Sequence, residues 1–198
     1  MEREDTKEKI LTEALRLFSE NGYAAVSVGQ IAEAVGIKAP SLYKHYKSKR
    51  DIFDSILRRM EELDLEQARK HRMPEETETP CGEVPIERIR TYTKAMFLHW
   101  TEEEFPARFR KLLTLEQYRD PEMARLYRQY LSGGPLGYMA EVFRDAAGSA
   151  EEAEGLALEF YGPMYLLYSV YDDTHDRAAA LAALEAHIDR FSKRMAEK

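Results

Sequence analysis

The sequence predicts an all-α protein: a small three-helix head carrying a helix-turn-helix, joined by a long helix to a larger helical body. Three observations lead there. Apolar side chains recur at three- and four-residue spacing from Ile10 onward and again at the C-terminal end, to Met195. Glycines fall where helices end, at Gly22 and Gly36, because a left-handed backbone costs glycine little. Helix starts are marked by Ser27, Pro40 and Ser48.

In TKEKILTEALRLFSE (6–20), Ile10, Leu11, Ala14, Leu17 and Phe18 share one helical face, with the charges opposite. Asn21–Gly22 stops this helix. Ser27 offers an N-cap to a short second helix that turns Ile31, Ala32 and Val35 inward, and Gly36 closes it. A third helix begins at Ala39–Pro40, where proline is tolerated because first-turn N–H groups need no helical partner. Leu42 and Tyr46, four residues apart, lie on its inner face. Ser48 caps a long fourth helix with Ile52, Phe53, Ile56, Leu57, Met60 and Leu63 on its apolar side. Helix, glycine turn, helix is the order of a helix-turn-helix, whose second helix can enter a DNA major groove.

The chain has 198 residues and a net charge of −7, which argues against an anionic partner until the distribution is read. Nine basic against seven acidic side chains leave +2 in residues 1–50, whereas twenty against twenty-nine leave −9 in the remainder. Local field, not the total, governs binding to phosphate. The run GIKAPSLYKHYKSKR (36–50) holds five Lys/Arg, a His and two Tyr with no carboxylate. With Leu42 and Tyr46 turned inward, Ser41, Tyr43, Lys44 and His45 remain for a duplex. Lys38 stands at the helix entrance, and Lys47, Lys49 and Arg50 lie beyond its end. Lysines that meet phosphates release condensed counterions, and hydroxyls fix register by hydrogen bonding to phosphate oxygens. Lys44 and Lys38 can donate to guanine O6 and N7, Ala39 and Pro40 can touch thymine methyls, and Gln30 adds an amide from the second helix.

The stretch ILTEALRLFSENGYAAVSVGQIAEAVGIKAPSLYKHYKSKRDIFDSIL, and SLYKHYKSKRDIF above all, resembles the TetR family of bacterial transcriptional repressors. The resemblance implies phosphate contacts from Ser27, Ser41, Tyr43, His45 and Lys49, and base-edge contacts from Lys38, Ala39, Pro40 and Lys44. Gly29 departs from the pattern, standing where many relatives carry a larger side chain. The remaining three-quarters of the chain has no comparably diagnostic motif. The implied organisation is a DNA-binding domain over residues 1–50 and a ligand-binding and dimerisation domain over 51–198.

Residues 73–85, MPEETETPCGEVP, read as a loop before a body of roughly six more helices. LSGGPLG (131–137) interrupts a later helix, and the proline of FYGPM (160–164) predicts a kink. In the last helix Leu181, Leu184, Ile188, Phe191 and Met195 repeat at three–four spacing like a coiled-coil seam, flanked by alanines. The preceding helix offers Leu156, Phe160, Met164, Leu167 and Tyr171. Two such helices from each of two chains would make an isologous four-helix interface, as they do in the family resembled. The alternative is that the seam packs within one chain. A single head buries little surface on DNA, so a homodimer on a palindromic duplex is expected.

Of 21 aromatic residues, 15 fall between Tyr92 and Tyr171. Met96, Phe97, Trp100, Tyr118, Met123, Tyr127, Tyr130, Met139, Tyr165 and Tyr168 are candidates to line a site for a small apolar or aromatic ligand. An aromatic-rich core is the plain alternative. Glu116 and Glu159 offer charge to a cationic ligand.

No GxSxG elbow, phosphate-binding loop or dinucleotide fingerprint appears, and the sequence implies no cofactor and no enzyme. His99 with Glu103, and His175 among Asp172, Asp173 and Asp176, have metal-like spacing. The aspartates also suit a helix end and the next helix's cap, and no metal site is assigned. The lone Cys81 fits a reducing compartment, and the absence of a signal core or an apolar span places the chain in the cytoplasm, away from membranes. The competing functional class is a helical small-molecule binder or enzyme with an incidental basic N-terminus.

Overall fold

The computed structural model describes residues 2–74, 84–174 and 176–196, and among these every regular element is a helix. In order they are α1 (Glu2–Asn21), α2 (Val28–Val35), α3 (Ala39–Leu42), α4 (Lys49–Lys70) and α5 (Ile86–Glu102). Then come α6 (Glu104–Glu116), α7 (Pro121–Leu131), α8 (Gly133–Phe143), α9 (Ala150–Thr174) and α10 (Arg177–Ala196), with a 3₁₀ turn at Arg144–Ala146. The six helices after α4 match the number read from the sequence. Cys81 and most of the 73–85 loop lie outside the described residues, as does His175.

Two compact units emerge: residues 1–64 with 104–126, and residues 65–103 with 127–198. This division differs from a boundary at residue 50, because α1 packs on α6 and so draws a later segment into the N-terminal unit. Two of the unit boundaries fall within α4 and α7, and the third lies between α5 and α6.

In the first unit Ile10, Leu11, Ala14, Leu15 and Phe18 of α1 close over Ile31, Ala32, Leu42, Tyr46, Ile52, Phe53 and Ile56, all buried. Leu15 takes the inward place that the sequence pattern assigns to Leu17, being four residues from Leu11 and three from Phe18. Gly22 holds φ +86° at the end of α1, and a Cβ there would stand 2.4 Å from Glu116 Oε1. The left-handed turn therefore favours glycine, and a larger residue would also displace the Glu116 carboxylate.

The second unit is built on α9. It packs against α5, α8 and α10. Phe143, Phe160 and Phe191 meet at ring centroid distances of 4.9–5.5 Å. Arg90 pairs with Asp189 at 2.8 Å and Lys94 with Glu185, tying α5 to α10. The interruption expected at LSGGPLG is the break between α7 and α8. A Cβ on Gly134 would meet the Gln129 carbonyl oxygen at 1.9 Å, so the break needs a glycine. Pro163 lies inside α9, which continues to Thr174.

Candidate nucleic-acid interface

The head is shaped by its caps. Ser27 Oγ accepts from Gln30 N at 3.3 Å, while Gln30 Oε1 accepts from Ser27 N at 2.8 Å, a reciprocal capping box at the start of α2. Gly36, at φ +78°, ends α2 with its N–H directed to the carbonyls of Ala32 and Glu33. Ile37 N donates to the Ala32 carbonyl at 2.9 Å. The chain then turns so that α3 starts afresh from an extended Lys38, with Pro40 in its first turn. Hydrogen bonds from Tyr43, Lys44, His45 and Tyr46 back to residues 39–42 continue the turn past Leu42.

What anchors this short helix is Tyr46. Its ring is buried, and its hydroxyl donates to the Lys7 carbonyl at 3.3 Å. Burial pushes the phenol up to about 12, so it stays neutral at ordinary pH. With Leu42 and Tyr46 inside, Lys38, Pro40, Tyr43, Lys44 and Lys47 are exposed, and Tyr43 is 53% accessible. Ala39, Ser41 and His45 are half-buried on the same short segment. Among the described residues, Lys38, Lys44 and Lys47 make no side-chain hydrogen bond or ion pair. Three cations and a phenol thus stand clear of the head.

Lys49 is placed differently. Its Nζ donates to the Tyr23 and Val26 carbonyls at 2.9 Å each and approaches that of Ala24 at 3.4 Å. It also sits 4.5 Å from the Tyr23 ring centre. Burial lowers the ammonium pKa. The family resemblance implies a phosphate contact for Lys49, and in the folded chain its ammonium ties the start of α4 to the turn after α1. Gln30 and Ser27 are likewise engaged with each other, although the Gln30 amide nitrogen carries none of those bonds. Ser48 Oγ accepts from Asp51 N at 3.0 Å, and Asp51 Oδ2 accepts from Lys47 N at 2.8 Å, which fixes the join between α3 and α4.

In the second unit Phe97 and Tyr168 stack at 5.4 Å, Trp100 lies 6.5 Å from Tyr130, and the Tyr127 and Tyr165 hydroxyls meet. Met96 and Tyr130 are half-buried, and Met139 is buried in the same unit. Two candidates fall elsewhere. Tyr118 is 89% exposed on the turn after α6. Met123 is buried in the first unit. Glu116 packs against Gly22 and lies 3.7 Å from Arg119, and the Glu159 carboxylate meets Arg194, so neither stands open to a cation.

The seam of the last helix is spent inside one chain. Leu184, Ile188 and Phe191 are at most 1% accessible, and Leu156, Phe160 and Met164 are buried with them. Leu167, Tyr171 and Leu181 are half-buried, with the Tyr171 hydroxyl donating to Glu102 at 2.7 Å. What remains outside is a different stripe of α9: Leu158, Tyr165, Leu166 and Val170. On α10, Ala182, Ala183 and Ala186 are exposed. Asp176 caps α10, its Oδ1 accepting from Ala179 N at 2.9 Å. His99 Nδ1 is 2.9 Å from Glu103 Oε2. Among the described residues no three His, Cys, Asp or Glu side chains gather as a metal site, and no helix is long and apolar enough to cross a membrane.

Comparison with known proteins singles out the head. Residues 10–56 match the model of the bacterial regulatory proteins, tetR family. The chain is 42% identical over 69 residues to the HTH-type transcriptional regulator AcrR of Shigella flexneri, covering 33% of this chain and 32% of that one. It is also 42% identical over 52 residues to the biofilm operon icaADBC negative transcriptional regulator IcaR of Staphylococcus aureus, covering 26% and 28%. The matched segment is thus about a third of these relatives' length. The fold extends further: SmeT, the repressor of a Stenotrophomonas maltophilia multidrug efflux pump, superposes with a TM-score of 0.64 over 95% of this chain and 89% of its own, at 18% identity. SmeT is also known in a complex with triclosan.

Proposed function

We propose, from the premise that the N-terminal region of this chain belongs to the TetR family of bacterial transcriptional regulators, that the protein is a sequence-specific DNA-binding repressor released by a small molecule. The observation that carries this reading is the exposed set Lys38, Tyr43, Lys44 and Lys47, presented by α3 and the turn after it, whose inner residues Leu42 and Tyr46 are buried. Ser41 and His45 add phosphate contacts beside them, and Ala39 and Pro40 meet base edges. Residues 1–50 do the reading, and residues 51–198 supply ligand response and dimerisation.

The dimer forms through α9 and α10, as the sequence pattern suggests, but through the outward stripe of Leu158, Leu166 and Val170 rather than the buried seam. The exposed alanines of α10 allow close helix approach. The ligand is apolar or aromatic and is received by the group around Phe97, Trp100, Tyr127, Tyr130, Tyr165 and Tyr168. The triclosan complex of SmeT gives that chemistry a parallel in the same fold. The protein works in the cytoplasm, where its DNA is, and carries out no catalysis.

Selection from a random duplex library tests the reading. The expected product is a palindrome with half-sites about one helical turn apart, bound with an affinity that falls steeply with salt. Failure to enrich any duplex would leave the competing class, a helical small-molecule binder with an incidental basic face.

A further inference from the structure

The geometry points to Arg50 and Glu122 as positioning residues that set the pose in which α3 meets a duplex, an inference that rests on the DNA-binding reading above. Arg50 Nη1 and Nη2 donate to Glu122 Oε2 and Oε1 at 2.6 and 2.7 Å, and Arg50 Nε donates to Asp54 Oδ1 at 2.7 Å. Every nitrogen of the guanidinium is engaged within the chain. Arg50 therefore belongs to the fold and is not a phosphate contact, despite its place in the basic run.

Both ends of this strap are built in. Glu122 stands in the first turn of α7, where Asp120 Oδ1 accepts from the backbone N–H of Glu122 at 2.7 Å and of Met123 at 3.2 Å. Arg50 lies over the Phe53 ring at 5.7 Å, and Phe53 packs on Tyr23 at 5.0 Å. Exposed ion pairs usually contribute little, because water screens them and long side chains lose entropy. A planar fork on a carboxylate, locked from both sides, is the geometry in which such a pair counts. It also joins residues 72 apart in sequence, so no local helix constraint duplicates it.

The consequence reaches α3 through a short path. Arg50 is in the first turn of α4, and Asp51 beside it accepts the N–H of Lys47, the residue just after Tyr46. Lys49 fixes the same turn to the carbonyls of Tyr23 and Val26. The exposed lysines therefore hang from a turn held by Lys49 on one side and by the Arg50–Glu122 fork on the other. Without the fork, a head must be ordered when DNA binds, and two heads on one duplex would each incur that loss.

The experiment uses the full-length protein and a duplex selected by the wild type from a random library. Glu122→Gln and Arg50→Lys are compared with the combined Arg50→Lys/Glu122→Gln variant for affinity, salt dependence and thermal stability. The expected result is an affinity loss of about tenfold in each single variant, with the slope of affinity against salt unchanged, and little further loss when the two changes are combined. A tighter complex in Glu122→Gln with a steeper slope would make Arg50 a sequestered phosphate ligand and overturn the assignment. Lower melting temperatures with unchanged affinity well below them would reduce the pair to a stabilising contact, which also overturns it. If the wild type enriches no duplex, the DNA-binding reading itself fails. The two failures are therefore distinct.

Discussion

The basic run divides into two parts that look alike in sequence and behave differently in the fold. Lys38, Lys44 and Lys47 project outward without a side-chain partner among the described residues. Lys49 and Arg50, one and two residues past the Ser48 cap, are bound to backbone carbonyls and to carboxylates of the chain itself. The difference lies in what each site borders. The α3 segment is backed by Leu42 and Tyr46, and its other side is exposed among the described residues. The first turn of α4 sits among the end of α1 and the start of α7, where acceptors are in reach. Charge density alone does not distinguish a binding surface from a set of internal fastenings; the burial of the neighbouring residues does. The same contrast recurs on the last two helices, where the regular seam of Leu184, Ile188 and Phe191 is internal and the irregular stripe of Leu158 and Leu166 faces out.

The strongest way to break the comparison is to remove the outward group. Replacing Lys38, Lys44 and Lys47 together with Ala should lower affinity for a selected duplex by about two orders of magnitude or more. The salt dependence should flatten by about 0.9 for each lysine that no longer meets a phosphate. Stability should stay within about 0.5 kcal/mol of wild type, as for surface substitutions generally. Lys44→Ala alone should change the ranking of duplexes in a base-substitution series, because its role is at base edges. Retained affinity in the triple variant would show that these lysines are merely solvated.

On the C-terminal helices, Leu158→Glu/Leu166→Glu should weaken self-association by at least about 3 kcal/mol, since four apolar side chains per dimer would be replaced by charges needing water. The two residues are 61% and 64% accessible in the single chain, so the monomer should keep its melting temperature. Sedimentation at several concentrations reads the outcome. An unchanged dimer would move the interface off this stripe.

These contrasts also mark what a linear pattern can and cannot reveal. The head is legible in the sequence because its signals are local: Ser27 with Gln30, Gly36 after Val35, and Ser48 with Asp51 all act within four residues. Tyr46 and Leu42 follow from helical spacing. The internal partners of Lys49 and Arg50 are invisible to pattern because the acceptors of Lys49 lie 23 to 26 residues back and Glu122 lies 72 residues ahead of Arg50. Nothing in the order of residues couples those positions. The seam of α10 misleads for another reason: periodicity shows that a face is buried, but a helix of the same chain and a helix of a second copy leave the same imprint. Tyr118 groups by composition with residues near it in sequence, yet it occupies a turn with Asp120 rather than a helical face.

Lys49 supplies the next sharpening. Lys49→Met removes the donor shared by three carbonyls while keeping much of the stem. It should cost about 2 kcal/mol of stability, typical of hydrogen bonds to a charged group, with no change in the salt dependence of DNA binding. Urea unfolding and a salt titration measured on the same preparation separate the two roles. A flattened salt dependence with full stability would return Lys49 to the phosphate-binding set.

The smallest expected effect concerns pH. The hydrogen bond from Arg50, with the charge behind it, holds the Glu122 carboxyl below its ordinary value of 4.5. A carboxylate favoured by the fold gives up a proton more readily in the native state than in the unfolded one. Its contribution is therefore complete above the ordinary value and disappears as pH falls through the lower, folded value. The stability gap between wild type and Glu122→Gln should thus be constant near neutrality and close progressively below about pH 4.5. With the Glu122 side chain 37% exposed, water trims the gap, and added salt should narrow it further at pH 7. Urea midpoints for both proteins across this range make the check. A gap that keeps its size at low pH would trace it to side-chain packing around Phe53, and the electrostatic origin of the Arg50–Glu122 fastening would be lost.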